Sequence, residues 1–116
     1  MRKTDKKIDK QLTRVLTQLC EQTCKGIHGF VWLTHLVNYT NFPYSLKVVC
    51  IFDTNENLDV FMQDKKHITL ATQIGSKLNE ADVNVNNVMD HVLYDTEENC
   101  AAQHAGQWGK RLAYSS

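Results

Sequence analysis

The sequence has little proline, no glycine-rich phosphate loop and no long apolar run, and each shortage excludes a class of protein. It contains one proline and five glycines among 116 residues, 42% of which are hydrophobic. This composition is typical of a globular domain rather than of a disordered chain, and we expect one domain over residues 1–116. The glycines form neither a P-loop nor a dinucleotide-binding fingerprint. Nucleotide-driven chemistry is therefore disfavoured, and no cofactor is indicated.

No apolar stretch approaches the roughly 20 residues that a bilayer crossing requires. The opening segment MRKTDKKIDK leads into an amphipathic pattern rather than a signal-peptide core. We therefore expect a cytoplasmic protein without a membrane partner. In that compartment the four cysteines, at positions 20, 24, 50 and 100, are expected to be reduced thiols.

Charge is balanced overall but unevenly distributed along the chain. The formal net charge is zero, whereas residues 1–25 carry seven basic and three acidic side chains. Such asymmetry is typical either of a basic arm that binds phosphates or of the solvated face of a helix, and the solvated face is the commoner case. The basic candidates for a phosphate contact are Arg2, Lys3, Lys6, Lys7, Lys10 and Arg14.

The spacing of apolar residues predicts an N-terminal basic helix over about residues 4–25. Strands are predicted at residues 29–40, 46–52 and 91–94, from their β-branched and aromatic residues. Further helices are predicted at residues 55–64, 66–79 and from residue 97, followed by a loose tail over about residues 106–116. The order α-β-β-α-α-β-α predicts an α+β fold, with an antiparallel or mixed sheet and helices packed mainly on one face.

This element order resembles the KH-like arrangement of ribosome-binding factor A and of BolA proteins. The resemblance implies a ribonucleoprotein or nucleic-acid partner. RNA-binding KH domains hold the nucleic-acid backbone with a GXXG loop between two helices. At that place this chain has Asp64-Lys65-Lys66-His67 instead.

Two segments, VCIFDTNENL at residues 49–58 and HVLYDTEENC at residues 91–100, repeat one pattern. In each, an apolar run is followed by Asp-Thr, a variable residue and Glu-Asn. We predict that Asp53 caps a helix and that Glu56 reaches back to its amide, with Asp95 and Glu98 repeating this capping box. The repeated pattern would then form the same type of helix cap at two places in the chain.

The same residues also allow an alternative, a small metal-dependent enzyme. If the two strands are parallel neighbours, Asp53 and Asp95 meet at one sheet edge, where a hard cation such as Mg²⁺ prefers carboxylate oxygens. Glu56 and Glu98, together with Glu97, would supply further ligands. We regard helix capping as the better explanation, so no catalytic residue is assigned.

The cysteines and histidines permit two other hypotheses, both weaker. Zinc is one, because two groups have four-residue spacing; they comprise Cys20, Cys24 and His28, and Cys100 and His104. A nucleophilic Cys100 near a helix start is the other, with His91 or His104 as its base. Semi-buried thiols and ordinary histidines explain these residues better than either hypothesis.

Aromatic residues cluster around the first predicted strand and the turn after it, namely Trp32, Tyr39, Phe42 and Tyr44. Exposed rings beside a basic helix would form a stacking platform for single-stranded bases. Aromatic residues in a strand more often face the core, however. We nevertheless include Tyr39, Phe42 and Tyr44 among the candidate nucleic-acid contacts.

The runs MRKTDKK, WLTHLVNY, SLKVVCIFDTNENL and DTEENC resemble a group of small gammaproteobacterial proteins, some of which are labelled Fis-family regulators. The segment AAQHAGQWGKRLA also resembles the C-terminal pattern of Fis DNA-binding proteins. The resemblance implies regulation and brings no catalytic residues. Our leading hypothesis is a non-enzymatic binding or regulatory domain, with nucleic acid or a ribonucleoprotein slightly favoured as its partner. A protein-protein interaction module or homo-oligomer is a further alternative.

Overall fold

The computed structural model describes residues 2–115, with side chains described for residues 2–113. Three strands form the sheet: β1 (Phe30–Leu36), β2 (Lys47–Phe52) and β3 (Val92–Thr96). The helices in this part of the chain are α1 (Lys3–Gln22), α2 (Asn55–Gln63), α3 (Lys66–Glu80), α4 (Glu97–His104) and α5 (Trp108–Ser115). The predicted α+β class is confirmed, and the predicted element order is matched from α1 to α4.

The sheet is mixed, with strand order β1-β2-β3. Strand β2 is antiparallel to β1 and parallel to β3. A short turn suffices for the antiparallel pair, whereas the parallel pair requires a crossover, which α2 and α3 provide. The crossover places the carboxyl ends of β2 and β3 side by side.

The core lies between one face of the sheet and the apolar stripe of α1. On α1, Leu12 and Val15 are fully buried, and they belong to one cluster with Val48, Cys50 and Phe52 of β2. Helix α3 closes the same layer with four buried residues. Helix α1 is therefore an integral part of the core, since its removal would expose the sheet.

A β-bulge interrupts the alternation of side chains along β1. Simple alternation puts Phe30 on the same face as Trp32, but the register shifts between these two residues. Phe30 pairs with Phe52 and packs against the core, whereas Trp32 pairs with Ile51 on the opposite face. The extra residue, Val31, is 45% exposed. Simple alternation fails for Phe30 because a bulge shifts every earlier residue by one face.

The chain after residue 106, predicted as a loose tail, contains α5. The indole of Trp108 meets that of Trp32 edge to face, with ring centroids 5.2 Å apart. Arg111 binds Asp95, which lies beside Ile51 in the sheet. Helix α5 thus covers part of the sheet face that α1 and α3 leave open, so the helices are not confined to one face.

The basic helix predicted to end near residue 25 ends at Gln22, followed by a short 3₁₀ turn at Cys24–Gly26. Strand β1 is shorter than predicted, because the chain leaves the sheet after Leu36. Among residues 2–115 no helix has the length and apolar character needed to cross a bilayer.

If α1 belongs to the core, Leu12→Ala should destabilise the whole domain by about 2 to 5 kcal/mol, because it opens a cavity under the sheet. Urea unfolding followed by circular dichroism measures the loss. Thr17→Ala, on the exposed face of the same helix, is the control and should shift stability by less than about 0.5 kcal/mol. Equal effects of the two substitutions would contradict the role given to α1.

Candidate functional site

The repeated Asp-Thr-x-Glu-Asn segments both lie at the carboxyl edge of the parallel strand pair. In the register, Ile51 lies beside Asp95 and Phe52 beside Thr96. Asp53 therefore extends two residues beyond Asp95 along the strands. The structure brings the two segments together, as the metal hypothesis required, but the two aspartates are staggered.

The helix caps are the threonines rather than the aspartates. The hydroxyl of Thr54 accepts a hydrogen bond from the Asn57 amide at 3.1 Å, and the hydroxyl of Thr96 accepts one from the Asn99 amide at 3.0 Å. Both threonines have extended backbone angles, as an N-cap requires. The predicted capping boxes were therefore shifted by one residue. Asp and Thr are both good caps, so local sequence could not decide between them.

The two segments are joined to each other through Asn55. Its side-chain oxygen accepts a hydrogen bond from Thr96 Oγ1 at 2.7 Å, and its side-chain nitrogen donates to Asn99 Oδ1 at 2.8 Å. Its backbone amide donates to Glu98 Oε1 at 2.9 Å. Glu98 therefore caps the start of α2, on the other segment, rather than its own helix. We call this set of bonds the interlock.

Asp53 is held by its own segment. Its Oδ1 accepts hydrogen bonds from the Asn57 side chain at 2.9 Å and from the Thr54 amide at 2.7 Å. These bonds, with Asn57 contributing most and the charge of His28 adding to them, lower the pKa of Asp53. Gly29 packs against this site with φ +83°, and a Cβ there would lie 2.7 Å from the Asn57 Cβ. Glycine is therefore required at this position.

Asp95 is occupied by Arg111. The guanidinium donates to both carboxylate oxygens, through Nη2 at 2.9 Å and through Nε. Among the described residues no group of three His, Cys, Asp or Glu side chains is arranged to hold a metal ion. Glu56 is exposed, and Glu98 is committed to the interlock. The geometry of this edge thus supports a structural role and gives a shared cation at Asp53 and Asp95 little support.

The residues of the zinc and thiol hypotheses lie in different settings. Cys100 is fully buried in α4, whereas His28 is exposed on the loop before β1. His104 lies 3.2 Å from Arg111 Nη1. Cys20 and Cys24, by contrast, are neighbours at the end of α1, close to Cys50 of β2.

The basic residues of α1 form a single stripe on its outer surface. Lys3, Lys6, Lys7, Lys10 and Arg14 follow a spacing of three and four residues and fall within about 100° of the helix circumference. All five are exposed, and the stripe lies opposite the buried stripe of Leu12 and Val15. Arg2 precedes the helix and forms an exposed ion pair with Asp5 at 3.6 Å.

The lysines of this stripe form no salt bridge with any side chain in residues 2–113. The other acidic residues near them on α1 are paired elsewhere, Asp5 with Arg2 and Asp9 with His35, and Arg14 is hydrogen-bonded to Gln11. From Lys3 to Arg14 the stripe is about 17 Å long, at 1.5 Å per residue. It presents charge that the protein itself does not neutralise.

The three aromatic candidates do not form one exposed platform. The hydroxyl of Tyr39 donates to Asp9 at 2.8 Å, and its ring packs against Phe42 with centroids 5.6 Å apart. Phe42 in turn packs against the core cluster. Only Tyr44, 75% exposed, presents an open ring. Tyr39 and Phe42 are thus half-buried by tertiary contacts, so the three rings do not form the single exposed platform that the sequence suggested.

Asp9 joins α1 to β1 and to the turn after it. Its Oδ1 accepts hydrogen bonds from His35 Nε2 and from the Tyr39 hydroxyl, both at 2.8 Å. The bond from His35, followed by that from Tyr39, lowers the pKa of Asp9, although burial acts in the opposite direction. Burial and the neighbouring Asp9 raise the pKa of Tyr39. The network fixes the orientation of α1 on the sheet.

Sequence reasoning missed the roles of Asn55, Asn99 and Arg111. One signal was present, since asparagine closes both copies of the repeated segment. No signal indicated that Asn55 bonds across to the other copy, because that contact depends on the strand register.

Comparison with known proteins gave no matching family model, no similar curated protein and no similar solved structure.

Because of the interlock, the two threonine caps should contribute unequally to the stability of the protein. Thr54→Val should cost about 1 kcal/mol through its lost cap. Thr96→Val should cost about 2 kcal/mol, because Thr96 is fully buried and its hydroxyl also satisfies Asn55. The valines keep the side-chain shape, so urea unfolding compares the hydroxyls directly. Equal losses would show that the bond to Asn55 contributes nothing.

The Asp9 network should make stability depend on pH at the acidic end. Because folding lowers the pKa of Asp9, its contribution is present above the ordinary value of 3.8 and is lost as the pH falls through the lowered value. Its side chain is 42% exposed, so Asp9→Asn should cost only about 0.2 to 1 kcal/mol at pH 7. Urea unfolding should show this difference shrinking below pH 3.8. Asp59→Asn, on an exposed position of α2, is the control and should show no such change.

Proposed function

We propose that this protein is a non-enzymatic binding domain that uses the outer face of α1 to contact the phosphates of a nucleic acid. The observation that carries the proposal is the basic stripe of five exposed cations on one side of a helix whose other side is buried. Phosphates are the ligand class that an unneutralised row of lysines attracts most strongly. The side chains at work are Lys3, Lys6, Lys7, Lys10 and Arg14, with Arg2 at the helix start.

The rigid position of α1 supports this proposal more strongly than its basic composition does. A basic arm without structure would also be cationic, but α1 is held in the core by Leu12 and Val15 and against β1 by Asp9. Its cations are therefore presented at fixed spacing on a rigid element, so the helix backbone need not be ordered when a ligand binds. Long lysine side chains remain free to adjust to the phosphates.

The exposure of the aromatic residues indicates how much base stacking can contribute to the proposed binding. With Tyr39 and Phe42 packed against other residues, Tyr44 is the one of these three candidates whose ring is open for base stacking. Phosphate contacts position a protein on nucleic acid without reading sequence. The proposed binding is therefore mainly electrostatic, salt-sensitive and weakly dependent on base sequence.

The KH-like element order adds limited support. The order from α1 to β3 follows the α-β-β-α-α-β pattern, but a GXXG loop is absent between α2 and α3, where residues 64 and 65 connect the helices. The proposed contact is therefore assigned to α1 and not to the turn between α2 and α3. A ribonucleoprotein partner would be approached through its exposed RNA backbone.

The test is fluorescence anisotropy with labelled single-stranded RNA, single-stranded DNA and duplex DNA at low salt. Neutralising three cations in Lys3→Gln/Lys6→Gln/Lys10→Gln should abolish or strongly weaken binding. The matched control is Lys25→Gln/Lys66→Gln/Lys110→Gln, which removes the same charge from exposed positions outside the stripe. The control should bind nearly as tightly as the unaltered protein.

Salt dependence adds an independent measure. Each phosphate contact contributes about 0.7 to 0.9 to the slope of log affinity against log salt, so five contacts give a slope near −3.5 to −4.5 and the stripe variant loses about 2 to 3 of it. Equal weakening by both triple variants would indicate attraction to net charge rather than to the stripe. Absence of binding to all three nucleic acids at low salt would reject the proposal.

A further inference from the structure

Three of the four cysteines come together where α1 ends against the sheet. Cys24 and Cys50 of β2 belong to one buried cluster, Cys20 packs against it, and Cys20 and Cys24 share a hydrogen bond. The fourth cysteine, Cys100, lies in α4 beyond β3. Neither the core nor the proposed phosphate contact requires a pair of thiols in contact at this position.

The two neighbouring thiols have different access to solvent. Cys20 is partly exposed and lines a surface cavity of about 160 Å³, between the outer turns of α1 and the edge strand β1. Leu33, Thr34 and His35 form its other wall. Cys24 is only 1% exposed and lies in the 3₁₀ turn behind Cys20. A small molecule in this cavity therefore meets Cys20, whereas Cys24 is shielded from solvent.

The surroundings of Cys20 favour its thiolate. The hydrogen bond from Cys24, assisted by the backbone amide of Leu33, lowers the pKa of Cys20 to about 7, although partial burial and Glu21 act in the opposite direction. The same hydrogen bond and burial raise the pKa of Cys24. Burial raises the pKa of Cys50 to about 12. The hydrogen bond between the two thiols thus favours the thiolate of Cys20 and the protonated thiol of Cys24. A further titratable group, His35, lines the same cavity as Cys20.

We propose that Cys20 and Cys24 form an oxidation site, in which Cys20 reacts with a hydroperoxide and Cys24 converts the product into a disulfide. The first step forms a bond between the Cys20 sulfur and the distal peroxide oxygen and breaks the O–O bond. With hydrogen peroxide this gives a sulfenic acid on Cys20, and the departing hydroxide leaves as water after protonation. The sulfur is oxidised by two electrons and the peroxide is reduced.

In the second step, the Cys24 sulfur loses its proton and attacks the Cys20 sulfur. The S–S bond forms, the S–O bond breaks, and the hydroxyl group leaves with the proton as a second water. The sum is two thiols and one hydrogen peroxide giving one disulfide and two waters. The helix ends between the two cysteines, at Gln22, so the turn that carries Cys24 can adjust without breaking the ordered part of α1.

The first test measures the reactivity of each cysteine by iodoacetamide alkylation and peptide mass mapping across pH 5 to 10, a range set around the pKa of about 7 for Cys20. Cys20 should react with a midpoint near that value, and at pH 7 about fivefold faster than an ordinary thiol, once the lower nucleophilicity of a more acidic thiolate is included. Cys24→Ala removes the hydrogen-bond donor and should move the midpoint towards 9.0. An unchanged midpoint in that variant would show that Cys24 does not favour the Cys20 thiolate, and it would overturn the proposed pairing of the two thiols.

The second test treats the unaltered protein with stoichiometric hydrogen peroxide and maps its disulfides. A Cys20–Cys24 disulfide is expected, whereas Cys24→Ala should stop at a sulfenic acid on Cys20 that dimedone traps. Cys24→Ser provides a second variant if the alanine protein fails to fold, and Cys100→Ala is the control, which should still form the disulfide. A disulfide to Cys50 or Cys100, or oxidation that does not favour Cys20, would overturn the proposal. Because the mapping uses the unaltered protein, the result does not depend on any variant folding.

Discussion

The parallel pairing of β2 with β3 is the constraint on which the rest of the architecture depends. It brings the starts of α2 and α4 together at one edge, where both helices present unbonded amides and partial positive charge. Two such ends side by side would repel each other. The interlock resolves this, because Glu98 places a carboxylate at the start of α2 and Asn55 satisfies groups on both segments. The repeated segment is therefore one solution applied at two adjoining places.

Much of the fold could be predicted because its signals are local. The spacing of apolar residues defined α1, and β-branched runs located all three strands. The features that the sequence did not predict correctly depend on contacts between distant segments. Asp53 and Thr54 were equally good caps from local sequence, and only the strand register, with Phe52 beside Thr96, shows how the two segments fit. Likewise, the bulge before Trp32 was hidden because both faces of β1 carry apolar residues.

The candidate site divides in the same way. Its basic half was visible in the sequence because five cations at helical spacing belong to one element. Its aromatic half was not, because Tyr39 is turned inward by Asp9, a residue 30 positions earlier in the chain. Arg111 shows the same limit, since its bond to Asp95 depends on how α5 lies over the sheet. Patterns within one helix are predictable, whereas pairings across the fold are not.

Helix α1 combines three roles on different sides of one cylinder. Its buried stripe completes the core, Asp9 ties it to β1, and the opposite side presents the basic stripe. The residues after position 25 carry ten acidic and six basic side chains, so the neutral protein is electrically divided. A polyanion is attracted to α1 and repelled by much of the remaining surface, which favours one orientation of approach. Since the buried stripe of α1 and the Asp9 network hold this helix in a fixed position on the sheet, the division of charge is a property of the fold and not of a flexible arm.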